Sequence, residues 1–170
     1  MDDLMVDIET LGTTHNAVIT QIGACFFDRN TGDYGSNFLM NIRIQDCLDK
    51  GMTVNGDTIK WWMNQEYKSW VKDAGDLAVV LNAFRKFAKP CKAAWAHATF
   101  DFPILANAYN ICKIGMPFHY RDMRDLITLV DLSDLKKEDF KTNLLKTHNA
   151  LDDCFYQIEY AVKCFKRIKE

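Results

Sequence analysis

Four acids and a histidine are split among three short segments. Val6-Asp7-Ile8-Glu9-Thr10 stands near the start, Trp95-Ala96-His97-Ala98-Thr99-Phe100-Asp101 in the middle, and His148-Asn149-Ala150-Leu151-Asp152-Asp153 near the end. Carboxylates can hold hard divalent cations, and an imidazole titrates near neutrality and can take a proton from water. Together these are the groups that cation-assisted cleavage of a phosphodiester requires.

Each segment also has a plainer reading. Asp7 and Glu9 are two apart, so on a strand both carboxylates point to one face. Burying two like charges that close is costly unless a cation sits between them. The alternative is a solvated strand end, but Leu4, Met5, Val6, Ile8 and Leu11 surround the pair. His148 and Asp153 flank a helix start, with Asp152 competing for the ligand role. Both aspartates could instead only complement the helix dipole, and Asp101, at another helix start, shares that alternative. His97 is either a second candidate base or a hydrogen-bonded structural histidine at a strand end. His15 and His119 read as a turn residue and a strand residue.

The elements that must position these groups follow from patterning. Leu4 to Ile8 is a short apolar run that suits a buried strand. Val18 to Phe27 is rich in β-branched and aromatic residues and predicts a second. Asp28-Arg29-Asn30-Thr31-Gly32-Asp33 is turn chemistry, making a hairpin into a third strand over Phe38 to Ile44. Asp57 is a candidate N-cap for a helix over Thr58 to Gln65. Asp76 to Ala88 carries Leu77, Val80, Leu81, Phe84 and Phe87 at helical spacing and ends before Pro90. A fourth strand is expected over Ala93 to Ala96. A helix over Phe100 to Cys112 follows, capped by Thr99. Phe118 to Arg121 reads as a fifth strand, and Met123 to Val130 as a helix. Leu132 to Thr147 is polar and Lys-rich and reads as a loop with a short helix. A last helix covers Asn149 to Ile168. Two hairpin links and two helical crossovers imply an α/β fold with a mixed five-stranded sheet and helices on both faces.

The 170 residues suit one domain, spanning 1–170. With 48% hydrophobic residues, eleven Phe and four Trp, the chain can bury a core and is not disordered by composition. A formal net charge of −2 announces no nucleic-acid binder by itself. Acids buried under bound cations would leave a more positive surface than the count suggests. Six cysteines lack a C-x-x-C pair and read as reduced, mostly buried thiols, Cys25 among them in a strand. No signal peptide or membrane-length apolar run is evident, which predicts a soluble, intracellular, cytoplasmic setting.

Together, Asp7-Ile8-Glu9-Thr10, Phe100-Asp101 and His148-Asn149-Ala150-Leu151-Asp152-Asp153 resemble the signature of the DEDDh exonucleases. That family includes polymerase proofreading subunits, RNase T and oligoribonuclease, and the resemblance covers nearly the whole chain. Thr58-Ile59-Lys60-Trp61-Trp62-Met63-Asn64-Gln65 and Tyr120-Arg121-Asp122-Met123-Arg124-Asp125-Leu126 are similar to a compact RNase T-like branch common in phage genomes. The resemblance implies an RNase H-like fold and a 3′–5′ exonuclease releasing nucleoside 5′-monophosphates from single-stranded DNA or RNA 3′ ends. It implies two divalent cations, Mg²⁺ or Mn²⁺, held by Asp7, Glu9, Asp101 and Asp153, with His148 as general base. The H-x-A-x-x-D spacing selects Asp153 over Asp152. A homodimer is an expectation of the RNase T-like branch.

Substrate contacts are expected from Thr10, Leu11 and Gly12 after Glu9. Trp61 and Trp62 could stack a base. As adjacent residues, one is expected in the core and at most one near substrate. Phe100 divides between core and base contact. Lys136, Lys137, Lys141 and Lys146 could track phosphates or form a solvated loop. Against the exonuclease stand two alternatives: a catalytically silent nucleic-acid-binding module on the same fold, and a structural domain whose acids merely decorate helix starts.

Overall fold

The computed structural model of the chain describes residues 1–66, 74–136 and 148–170. In chain order its elements are β1 (Asp3–Thr10), β2 (Ile19–Phe27), β3 (Tyr34–Ile42), α1 (Ile44–Asp49), α2 (Gly56–Met63), β4 (Ala74–Gly75), α3 (Leu77–Ala88), β5 (Ala93–Ala96), α4 (Asp101–Ile111), β6 (Met123–Asp125), α5 (Leu126–Leu132) and α6 (Ala150–Lys169). The sheet runs β4-β3-β2-β1-β5-β6. The first three strands are antiparallel neighbours; β5 is parallel to β1 and β6 to β5.

All of β1 is buried, because helices cover both faces of the sheet. Strand parity divides its residues. Leu4, Val6 and Ile8 join a core with Leu81 and Phe84 of α3 and Leu105 of α4. Met5 faces the other way and packs with Trp95, Leu129 of α5 and Cys154 and Ile158 of α6. Each such side chain contributes about 1.5–3 kcal/mol when fully buried. The same parity puts Asp7 and Glu9 on the α6 face. Four cysteines are buried, two are partly exposed and all six are free thiols. Among the described residues, no helix is long and apolar enough to cross a membrane.

The mixed sheet with helices on both faces agrees with the sequence reading; several boundaries differ. A sixth strand, β4, adds two residues parallel to the edge of β3. The third strand stops at Ile42, and Ile44 opens α1. Ile44 packs on the core in its helix as it would in a strand, so alternation could not separate the two. Phe118 to Arg121 is no strand. The side chain of Asp122 accepts from the His119 N–H while the Asp122 N–H donates to the His119 carbonyl, closing a turn. The strand at this edge is Met123–Asp125, and α5 starts after it with Asp125 as N-cap. Asn55, not Asp57, caps α2, and Phe100, not Thr99, holds the N-cap position of α4. Lys136 is exposed; the loop and short helix expected over 132–147 lie largely outside the described residues, as do Lys137, Lys141 and Lys146.

Candidate active site

The site lies beyond the carboxyl ends of the parallel neighbours β1 and β5, where open α/β sheets place their crevices. Met5 pairs with Trp95, so continuing the register brings Asp7 beside His97. There β5 has ended, and the chain turns into α4 with the N–H groups of Phe100 and Asp101 donating to the His97 carbonyl. The Asp101 carboxylate takes the place of the missing strand. Its Oδ2 accepts from the backbone N–H of His97 at 2.8 Å, and the N–H of Ile8 also donates to it. Asp101 is 1% exposed. Burial, and then the charge of Asp7, push its carboxyl well above the usual carboxylate range, against the pull of the backbone donors. The negative field extends to Tyr160 of α6, whose phenol is raised by burial and then by Asp7.

The start of α6 brings the third segment in. His148 adopts a left-handed φ of 55°, and the Asn149 side chain then accepts from the N–H groups of Leu151 and Asp152. Gln21 of β2 anchors this end, its Oε1 accepting from the Ala150 N–H at 2.8 Å. Gly23 permits the approach. A Cβ there would lie 2.2 Å from the Ala150 carbonyl carbon. With α6 so placed, Asp153 is buried and Asp152 is exposed.

Two trios result. Ligand atoms of Asp7, His97 and Asp101 lie within 4.8 Å of one another, and so do those of Glu9, His148 and Asp153. All four acids are at most 9% exposed. Carboxylate crowding at this depth opposes itself, as Asp101 records, and is relieved by cations. The oxygen-rich donor set fits divalent cations of the Mg²⁺ and Mn²⁺ type.

Gln157, one turn after Asp153, donates from Nε2 to Asp7 Oδ1 at 2.6 Å. Only its place on the Asp153 face, four residues on, signals it in the sequence. Replacing it with Leu is expected to weaken cation affinity about 10–100-fold, as loss of an outer-shell partner does. Calorimetric Mn²⁺ titration checks this; unchanged affinity would show that Asp7 needs no such support.

A cleft of about 410 Å³ opens beside Glu9, lined by Thr10, Gly12, Trp61, Trp62 and Phe100 among others. Trp62 is buried and donates its indole N–H to the Thr10 carbonyl at 2.9 Å. Trp61 is 44% exposed and stands edge-on to the His148 ring, centroids 4.8 Å apart. The Thr10 hydroxyl is bonded to the Gly12 carbonyl. Leu11, the third residue after Ile8, lies next to this cleft in sequence but packs inward. Its side chain is 4% exposed in the main core, because the chain there is pinned to Val18 and Asn55 by backbone hydrogen bonds.

The model of the Rv2179c-like 3′–5′ exoribonuclease domain matches residues 2–165. No curated protein matches the chain. Among solved structures, E. coli exonuclease I in complex with a dT13 oligonucleotide superposes with a TM-score of 0.72 at 14% identity, over 97% of this chain and 41% of that one. A zinc-bound form of the E. coli exonuclease I–ssDNA complex gives 0.72 at 15% identity, over 99% and 41%. Exonuclease X in complex with 5′-overhanging duplex DNA gives 0.66 at 15%, over 96% and 91%. The chain thus spans about two fifths of the length of the exonuclease I chains, whose RNase H-like fold it shares. With its DEDDh residues gathered on that fold, the chain belongs to the Rv2179c-like 3′–5′ exoribonuclease domain family.

Proposed function

We propose that this site hydrolyses single-stranded 3′ ends one nucleotide at a time to nucleoside 5′-monophosphates, with RNA the substrate that the family's description suggests. Asp7, Glu9, Asp101 and Asp153 would hold two divalent cations, Mg²⁺ or Mn²⁺. When bound, such cations would supply positive charge for the entering and leaving oxygens of the phosphodiester. His148 takes the proton of the attacking water at an imidazole nitrogen. Its left-handed backbone and the Asn149 cap fix where that ring stands, and Trp61 and Trp62 wall it on one side.

The cleft beside Glu9 receives the terminal nucleotide. Trp61 offers an exposed aromatic face, which binds bases with little sequence preference. Trp62, tied to the Thr10 carbonyl, holds the floor of the cleft in place. The observation that carries this reading is the pair of ligand trios, each within 4.8 Å, in one crevice with that cleft.

The test is a matched set of 3′-labelled RNA and DNA oligomers of several lengths, incubated with Mg²⁺ or Mn²⁺. The expected result is stepwise release of labelled 5′-mononucleotides. Binding of oligomers without release under either cation would instead indicate a silent binding module.

A further inference from the structure

Among the described residues, His97 also presents a ligand atom beside Asp7 and Asp101. We propose that His97 is a nitrogen ligand on the Asp7–Asp101 side of the crevice, giving that half of the site a mixed nitrogen–oxygen donor set that favours Mn²⁺ and later first-row ions over Mg²⁺. The inference rests on the cation-binding reading above and adds a ligand and a selectivity to it.

Three observations support it. A ring nitrogen of His97 lies within 4.8 Å of carboxylate oxygens from both Asp7 and Asp101. The residue is held from its own backbone, since its N–H donates to Asp101 Oδ2 at 2.8 Å and its carbonyl accepts from Phe100 and Asp101. Ring and carboxylate are therefore positioned by one tight turn rather than by a mobile loop.

Asp125 supplies the third. Its carboxylate is fixed by the N–H of Ala98 at 3.0 Å and by the N–H and hydroxyl of Thr128 at 2.8 and 2.7 Å. Asp125 thus holds the backbone of Ala98, the residue after His97, and braces the turn that carries the imidazole.

The selectivity follows from donor chemistry. Mg²⁺ prefers all-oxygen octahedral surroundings and keeps its waters, whereas imidazole suits transition ions. A site with a nitrogen ligand in place gains affinity for Mn²⁺ and its successors that Mg²⁺ does not share.

Pulsed electron paramagnetic resonance on the Mn²⁺-loaded protein tests this without reference to turnover. The wild type is expected to show ¹⁴N coupling to Mn²⁺. His148→Gln, which retains His97, should keep the coupling, and His97→Gln should lose it. His97→Asn serves as a second variant if the glutamine form does not fold. Calorimetry should show loss of the wild type's Mn²⁺-over-Mg²⁺ preference in the His97 variants. Bound Mn²⁺ whose spectrum is indifferent to His97 would overturn this inference and leave the exonuclease reading intact. Failure of the wild type to bind Mn²⁺ at all would overturn both.

Discussion

Asp153→Ala is expected to lower exonuclease activity by more than the roughly 100-fold that loss of an outer-shell partner costs. Asp152→Ala should leave it within about twofold, the scale of an ordinary exposed substitution. The two residues are adjacent and identical in type, so charge and helix propensity cannot separate them. Position does. Asp153 is 5% exposed and grouped with Glu9 and His148, whereas Asp152 points to solvent at the start of α6. If both acids served only the helix dipole, the two variants would lose similar, small amounts of stability and neither would lose activity selectively. His148→Ala completes the set. Loss of a general base costs about 10²–10⁴-fold, while the four carboxylates remain to bind cations. Initial rates on a 3′-labelled oligomer, read beside thermal unfolding of each variant, decide the matter.

Gly23→Ala, opposite Asp7 on β2 and far along the chain from His148 and Asp153, is expected to damage both stability and activity. The added Cβ would meet the Ala150 carbonyl oxygen and the Leu151 nitrogen at 2.4 Å, and these are backbone atoms with no rotamer to escape into. The start of α6 must move away from β2. Forced overpacking of this kind costs about 1–3 kcal/mol. The larger effect is on chemistry, because His148 and Asp153 ride on that helix start. A displacement of about 1 Å is enough to cost on the order of 100-fold in rate. Gly115→Ala is the control, since its nearest neighbour is the Arg85 guanidinium at 3.7 Å. Equal unfolding temperatures and rates for the two variants would show that α6 does not need its close seat on β2.

Local rules paired Asp7 with Glu9 but left a helix-dipole role open for Asp101 and Asp153, which the resemblance to the DEDDh signature singled out. Asp7 and Glu9 obey strand parity, and Asp101 and Asp153 stand at helix starts. The groups that support them were not legible, because their partners are distant in the chain. Gln21 reaches Ala150 and Gln157 reaches Asp7 only after the sheet and α6 have assembled. Gly23 looks like an ordinary strand glycine until the helix is docked against it. The same limit explains the edge of the sheet. Met123 to Asp125 is helical by composition, yet pairing with Ala94 to Ala96 makes it a strand. Leu11 shows the converse, an apolar residue beside the site that the core claims first.

The four buried carboxylates share one crevice that, as proposed, is complete only with cations. Asp101 sets the sign of its pH dependence. A carboxyl raised in the fold binds its proton more tightly there than in the unfolded chain. Cation-free protein therefore loses stability as pH rises from the ordinary carboxylate range through the raised value of Asp101. Added cation restores it. Thermal unfolding above that range, with chelator and then with Mg²⁺ or Mn²⁺ at about 100 times the dissociation constant, should show about 2.7 kcal/mol of stabilisation. For a chain of this size that is a rise of roughly 5–10 °C, and it should disappear in Asp153→Ala combined with Asp7→Asn. An unfolding temperature that stays flat across millimolar cation in the wild type would contradict the account.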